Sequence, residues 1–155
     1  MSQMIYRHPP EGFNAKFSVA AAFIKCEDKF LFVRSVPKNF YGSAWGIPGG
    51  KLEPGETPLA ALIREIAEET SLSLKSENVK FISQVYVDYQ QQEITFTYHM
   101  FEYVYRKRPE IILNPQEHLE YRWLSLGEAL KLNLIPGEAE CIQVAYAQTS
   151  GVAAE

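Results

Sequence analysis

The sequence predicts a layered α/β domain built on a mixed sheet with an antiparallel component. Two observations carry that prediction. Segments of strand length rich in β-branched and aromatic residues recur along the chain, and between and after them lie segments with helical signals, the strongest opening at Thr57-Pro58. The 155 residues suit one domain with its own core. We divide the chain into an N-terminal arm, residues 1–14, broken by Pro9-Pro10, and a folded domain, residues 15–155.

Taken in order, Phe17 to Lys25 is an apolar strand, Cys26 to Lys29 a turn, and Phe30 to Val36 a second strand, which together predict a hairpin. Pro37 to Gly50 is rich in Gly, Pro and aromatics and reads as a loop with a short strand at Trp45 to Ile47. Gly49 to Glu56 reads as a second loop. Thr57 is a good N-cap, and Pro58 suits the first helical position because its missing N–H would be unsatisfied there anyway. Leu59, Leu62, Ile63, Ile66 and Thr70 recur with helical spacing and predict a core-facing stripe. Val79 to Asp88, Ile94 to Tyr105 and Tyr121 to Leu124 read as strands. Leu126 to Leu132 and Gly137 to Gln148 read as helices, the latter with Ile142, Ala145 and Tyr146 on one face.

Composition narrows the function. Hydrophobic residues make up 46% and charged residues 22%, as in ordinary globular domains. Lys and Arg number 15 against 19 Asp and Glu, with no long basic run, so a nucleic-acid polymer is not the expected partner. No apolar run has the length a membrane span needs, and the polar start lacks the apolar core of an export signal. A membrane is therefore not an expected partner, and a cytoplasmic location is. Cys26 and Cys141 stand far apart and outside any CxxC or Cys/His cluster, which points to buried, reduced thiols. A small phosphorylated molecule remains open as a ligand, because a bound divalent cation can supply the positive charge the chain lacks. A homodimer remains open as an assembly.

The chemistry is concentrated between Gly50 and Leu72, GKLEPGETPLAALIREIAEETSL. On a helix, Glu65, Glu68 and Glu69 fall at i, i+3 and i+4 and so share one face. Neighbouring carboxylates repel one another, and a hard cation that prefers oxygen ligands, Mg2+ or Mn2+, relieves that repulsion. A solvated acidic helix face is the alternative for a bare ExxEE. The wider spacing decides against it. Glu56, Arg64, Glu65, Glu68 and Glu69 at their fixed separations have a chance occurrence on the order of one in a million, from a frequency of about one in sixteen for each charged type.

Together with Gly50, Ile66 and Leu72, these residues resemble the Nudix box: Gly, five residues, Glu, seven residues, Arg-Glu, an aliphatic, one residue, Glu-Glu, one residue, Gly and an aliphatic. Ser71 stands where the family has its final glycine. A glycine suits a helix end in the left-handed region, which serine enters less readily, so Ser71 is expected to be strained if that ending is kept. The run Trp45-Gly46-Ile47-Pro48-Gly49-Gly50 is similar to the family's approach to the box. Glu117 to Leu124 looks like the late segment that brings another carboxylate to the metals.

The resemblance implies a Nudix-type α/β/α sandwich with a mixed sheet. It also implies a Mg2+- or Mn2+-dependent pyrophosphohydrolase acting on a nucleoside diphosphate linked to another moiety: a nucleoside triphosphate, a dinucleoside polyphosphate or a nucleotide sugar. A non-catalytic Nudix-like nucleotide sensor is the second reading. By the same resemblance Glu65, Glu68, Glu69 and Glu117 are the catalytic and metal-holding carboxylates. The Gly50 or Gly49 carbonyl is a further ligand, and Glu56 and Arg64 form a brace between loop and helix. Glu120 is the reserve for Glu117. Arg34 suits a substrate phosphate, since its planar fork matches phosphate oxygens, and an outward-facing strand charge is the other reading. Phe40, Tyr41, Tyr86 and Tyr89 are candidates for stacking on a base, with core packing the alternative for each. His8, His99 and His118 lack metal-like spacing and read as structural or surface residues, and Trp45 as packing.

Overall fold

A computed structural model describes residues 4–147. Its centre is β2, Phe17–Cys26, a run of Ala, Val, Phe and Ile that is apolar at nearly every position. A strand with that pattern is buried on both faces. Ala20, Ala22 and Ile24 belong to one core cluster with Ala61, Leu62 and Ile66 of the helix α1, Pro58–Thr70. Ala21 and Phe23 belong to a second, with Ala129 of α2, Leu126–Ala129, and Cys141 and Ile142 of α3, Glu138–Tyr146. Helices on both faces of one sheet make an α/β/α sandwich.

The sheet has eight strands. β2 runs parallel to β7, Ile94–Tyr105, along its whole length, and β7 runs antiparallel to β6, Lys80–Tyr89. On the other side β2 meets β3, Lys29–Ser35, in register only at Lys25 and Cys26, next to the Glu27-Asp28 turn. Farther along, β2 pairs at Val19, Ala20 and Ala21 with β5, Gly49–Lys51. β3 also pairs antiparallel with β4, Trp45–Gly46, and β8, His118–Leu124. The sheet is thus mixed, as expected.

Several elements differ from expectation. Gly49 to Lys51, read as loop, is strand, because glycines let the backbone lie close against β2. Within the expected arm, Ile5–Tyr6 form β1 and pair with Val87 and Tyr86. β8 begins at His118, three residues before the expected Tyr121, because its partner β3 extends that far. α2 is shorter than expected, although a capping box of Ser125 and Glu128 fixes its start. On α1 the fully buried positions are Ala61, Leu62, Ile66 and Thr70, and Leu59 and Ile63 are only half-buried. The expected end of α3 at Gln148 lies outside the described residues. Cys26 and Cys141 are both buried free thiols.

α1 opens as expected: the Thr57 hydroxyl accepts from the Ala60 N–H at 3.1 Å, with Pro58 in the first turn. It ends at Ser71 in the left-handed region, φ 65° and ψ 18°. The Ser71 hydroxyl donates to the Ile112 carbonyl at 3.1 Å in an exposed setting. Strain at such a serine is about 2 kcal/mol, within the usual range of about 1–3 kcal/mol. It exceeds about 0.5 kcal/mol for one exposed hydrogen bond plus about 1 kcal/mol for the added unfolded-state freedom of glycine. Ser71→Gly should therefore raise stability by about 0.5 kcal/mol. In urea denaturation the midpoint should rise with an unchanged slope, and a lower midpoint would show that the Ile112 contact outweighs the strain.

Candidate active site

One cleft of about 770 Å³ collects most of the residues singled out by sequence. Glu65, Glu68, Glu69, Gly49, Gly50 and Glu117 line it, as do Phe40, Tyr41 and Tyr89. Helical spacing puts the three α1 carboxylates on this wall, and they differ sharply in environment. Glu68 is exposed, Glu65 is half-buried and Glu69 is buried. The Glu69 carboxylate accepts from the Gly49 N–H at 3.1 Å. His118 Nε2 stands 3.1 Å from the same oxygen without completing a hydrogen bond, and both its ring nitrogens are buried and unpartnered. Gly50 faces Glu65 so closely that a Cβ there would overlap its carboxyl group. Burial pushes the Glu65 carboxyl up to about 7; the Arg64 hydrogen bond opposes this, and the charges of Glu69 and Glu68 reinforce it.

Arg64 organises the acidic wall. Its Nε donates to Glu56 at 2.7 Å and its Nη2 to the other Glu56 oxygen at 2.8 Å, a bidentate pair. Nη2 also donates to the Lys51 carbonyl at 3.0 Å, and the Glu53 N–H donates to Glu56 at 2.8 Å. The Arg64 hydrogen bonds, seconded by the Glu53 N–H, hold Glu56 down at about 2. The two partners expected as a brace are thus joined, tying the loop after β5 to α1. Nη1 turns to Glu65 at 2.9 Å and Glu68 at 3.3 Å.

The donors suit a hard cation in kind, being carboxylates beside a glycine backbone whose missing side chain lets the Glu65 carboxyl lie against it. Among the described residues, however, no three His, Cys, Asp or Glu side chains converge as a ready ligand set. The reason is visible in the pairing. Like-charged carboxylates separate towards whatever donors are at hand, here Arg64 for Glu65 and Glu68, and the Gly49 N–H for Glu69.

Other expected residues fall in different places. Glu117 lines the cleft and pairs with Lys38 at 2.9 Å. Glu120 does not line it; cross-strand from Arg34, it pairs with that guanidinium at 3.0 Å. Arg34, which also donates to the Ser43 carbonyl at 3.2 Å, is likewise absent from the cleft lining and stands in the Glu120 ion pair, the strand-charge alternative given for it. Tyr86 lies outside too and packs edge-on against Phe13. Phe40 meets Tyr41 at 5.2 Å and Tyr89 at 5.1 Å between ring centroids, forming an aromatic corner. The Tyr89 hydroxyl donates to the Pro136 carbonyl at 2.6 Å, so this ring is anchored. Trp45 is buried packing under the Arg122 guanidinium.

Sequence reasoning missed Lys38, Lys51 and Glu138 on the cleft wall, and the buried placement of His118 beside Glu69. Lys51 directly follows the double glycine, a signal that was available. Glu138, on the last helix of the described chain, carried none.

An α/β/α sandwich whose central helix sets a carboxylate wall against a glycine-rich strand defines the architecture of Nudix domains. The Nudix domain model matches residues 16–144, and the chain belongs to that family. An 8-oxo-dGTP diphosphatase from Proteus vulgaris is 33% identical over 84 residues, 54% of this chain and 73% of that protein. A human 8-oxo-dGDP phosphatase is 36% identical over 66 residues, 43% of this chain; the match spans only 20% of its length. The crystal structure of a MutT protein from Methanosarcina mazei Go1 superposes with a TM-score of 0.71 at 23% identity, covering 86% of this chain and 94% of that one.

Proposed function

We propose that the protein is a Mg2+- or Mn2+-dependent pyrophosphohydrolase of a nucleoside di- or triphosphate or related nucleotide. The observation that carries the reading is the mixed lining of one cleft: an acidic helix face, a glycine strand and two lysines share it with aromatic and apolar side chains. A nucleotide combines the same two chemistries, charged phosphates and a flat base. Two relatives named for oxidised guanine nucleotides support that substrate class.

In this reading Glu68, Glu69 and the Gly50 carbonyl hold the cation, with Glu65 and Glu117 as further ligands or bases. A cation held there would supply charge neutralisation at the phosphate oxygens and a more acidic bound water. Lys38 and Lys51 bind phosphate oxygens at the mouth. Glu65, half-buried on the same wall and hydrogen-bonded to Arg64, is one carboxylate that would take the proton from the attacking water. The Glu56–Arg64 brace orients the carboxylates without touching substrate. The leaving phosphate stays by the carboxylates while the base remains against the aromatic and apolar side chains. Among the described residues no helix is long and apolar enough to cross a membrane, and two buried free thiols suit a reducing compartment, so a cytoplasmic location accompanies the proposal.

Two measurements test it. Mg2+ or Mn2+ should raise the Tm, since a ligand of the folded state stabilises by about 2.7 kcal/mol at a hundredfold excess over its Kd. A panel of guanine, adenine and oxidised-guanine nucleotides, dinucleoside polyphosphates and nucleotide sugars should give metal-dependent release of a monophosphate from at least one compound. Binding without release would assign the chain to the sensor class. A Tm indifferent to both cations, with and without nucleotides, would sink the enzyme reading, and indifference to the nucleotides as well would sink both.

A further inference from the structure

The end of α1 is tied to the start of β8 through Asn114, a residue that neither the box nor the proposed chemistry includes. The last carbonyls of a helix have no partner within it. At the end of α1 the Thr70 carbonyl accepts from the Ile112 N–H at 3.1 Å, and the Glu69 carbonyl from the Asn114 N–H at 3.0 Å. Ile111 and Leu113, the alternate residues of this run, pack into the core cluster that contains Leu62 and Ile66 of α1. Asn114 is therefore held on a supported backbone, and it lines the cleft together with Glu69 and Glu117.

At Asn114 the chain turns. The Asn114 carbonyl accepts from the Glu117 and His118 N–H groups, both at 3.0 Å. Pro115 has no N–H to offer, so the first free donor of the turn is the Gln116 N–H. The Asn114 Oδ1 accepts from it at 3.0 Å. An asparagine bonded to the N–H two residues on closes a turn with its own side chain. One residue thus grips the Glu69 backbone on one side and the turn that presents Glu117 and His118 on the other. Glu117 consequently lies on the cleft wall, and His118 Nε2 stands 3.1 Å from the Glu69 carboxylate.

We propose that Asn114 is a positioning residue of the reaction: its side-chain oxygen closes the turn that sets Glu117 at a fixed reach from Glu69. This rests on the reading above in which Glu117 serves as a ligand or base, and Asn114 acts through that carboxylate. Misplacing a reacting group by about 1 Å costs up to about a hundredfold in rate, so a loosened turn is costly to turnover. The fold depends on it far less. In Asn114→Ala the backbone bonds to Glu69, Glu117 and His118 keep both their partners, and the exposed Gln116 N–H turns to water. In Asn114→Ser the hydroxyl can close the same turn, more weakly.

The test is a double-mutant cycle on the full chain, with Mg2+ and the best substrate of the nucleotide panel, joined to amide hydrogen exchange without ligand. Asn114→Ala should lower kcat about tenfold and leave KM within about twofold. Asn114→Ser should recover the rate to within about threefold of native. Exchange at Gln116, Glu117 and His118 should quicken about tenfold in Asn114→Ala and much less in Asn114→Ser. Glu117→Gln should lower turnover by about a hundredfold, and adding Asn114→Ala to it should cost less than about twofold more. Losses that simply multiply, an Asn114→Ser as slow as Asn114→Ala, or faster exchange with native kcat would each overturn the proposal. If Asn114→Ala fails to fold, Asn114→Gln replaces it, since its longer chain keeps the amide but not the short turn. Near-native turnover of Glu117→Gln would also overturn it, by removing the group through which Asn114 acts, and would leave the enzyme reading intact. Failure of the native protein to hydrolyse any nucleotide would instead remove the reading on which the proposal stands.

Discussion

Glu69→Gln should lower turnover by about a hundredfold or more while leaving the fold intact. Glutamine preserves the shape of the side chain and a carbonyl able to accept from the Gly49 N–H, the 3.1 Å bond that anchors Glu69 between β5 and α1. What it removes is the negative charge, and a neutral amide is a far weaker ligand for a hard cation. A lost proton acceptor or a lost ligand each gives an effect of this size. The neighbouring Glu53→Gln is the control. Glu53 is exposed, and its carboxylate is 3.8 Å from Arg64, a surface pair contributing at most about 1 kcal/mol. Steady-state kinetics with unchanged far-UV circular dichroism is the measurement. Turnover of Glu69→Gln within a few-fold of native would remove Glu69 from the site.

Gly49→Ala should have the largest effect on stability, a loss of about 3 kcal/mol. A Cβ at Gly49 would overlap the Ala20 carbonyl oxygen and come within 2.5 Å of Ala21 Cα, both backbone atoms of the central strand. Backbone cannot swing aside as a side chain can, so β5 must move off β2, and overpacking of that kind costs about 1–3 kcal/mol or more. The Tm should fall by roughly 10 °C. Gly50→Ala makes the contrast. Its Cβ would meet the Glu65 carboxyl, the far end of a flexible side chain. That variant should keep most of its stability and lose activity, because Glu65 is displaced from the cleft wall. Equal Tm values for Gly49→Ala and the native protein would show that β5 is not held as closely as the geometry requires.

Much of this was legible in the residue order because it is local. Thr57 and Pro58 mark the start of α1 through backbone groups within one turn of themselves. Helical periodicity puts Glu65, Glu68 and Glu69 on one wall whatever packs behind them. The spacing that joins Glu56 to Arg64 spans only a loop and two turns, and their bidentate pair follows. The near-continuous apolar run of β2 required cover on both faces.

Less was legible where partners are distant in sequence. The partner of Arg34 is one case: β3 pairs with β8, and the register sets Glu120 directly opposite it, close enough for an ion pair. Gly49 to Lys51 had no strand propensity of its own and became a strand because β2 diverges from β3 and leaves an edge to fill. His118 carried no metal-like spacing, yet β8 and α1 bring it within 3.1 Å of Glu69.

The sequence by itself determined the family, the acidic helix face and its brace, since each depends on residues within a few turns of one another. Only the tertiary structure decided which strand edges meet, that Lys38 and Lys51 line the cleft, and that the buried Glu138 of α3 lines it too. Those outcomes depend on register and burial, which arise when segments far apart along the chain exclude water from one another.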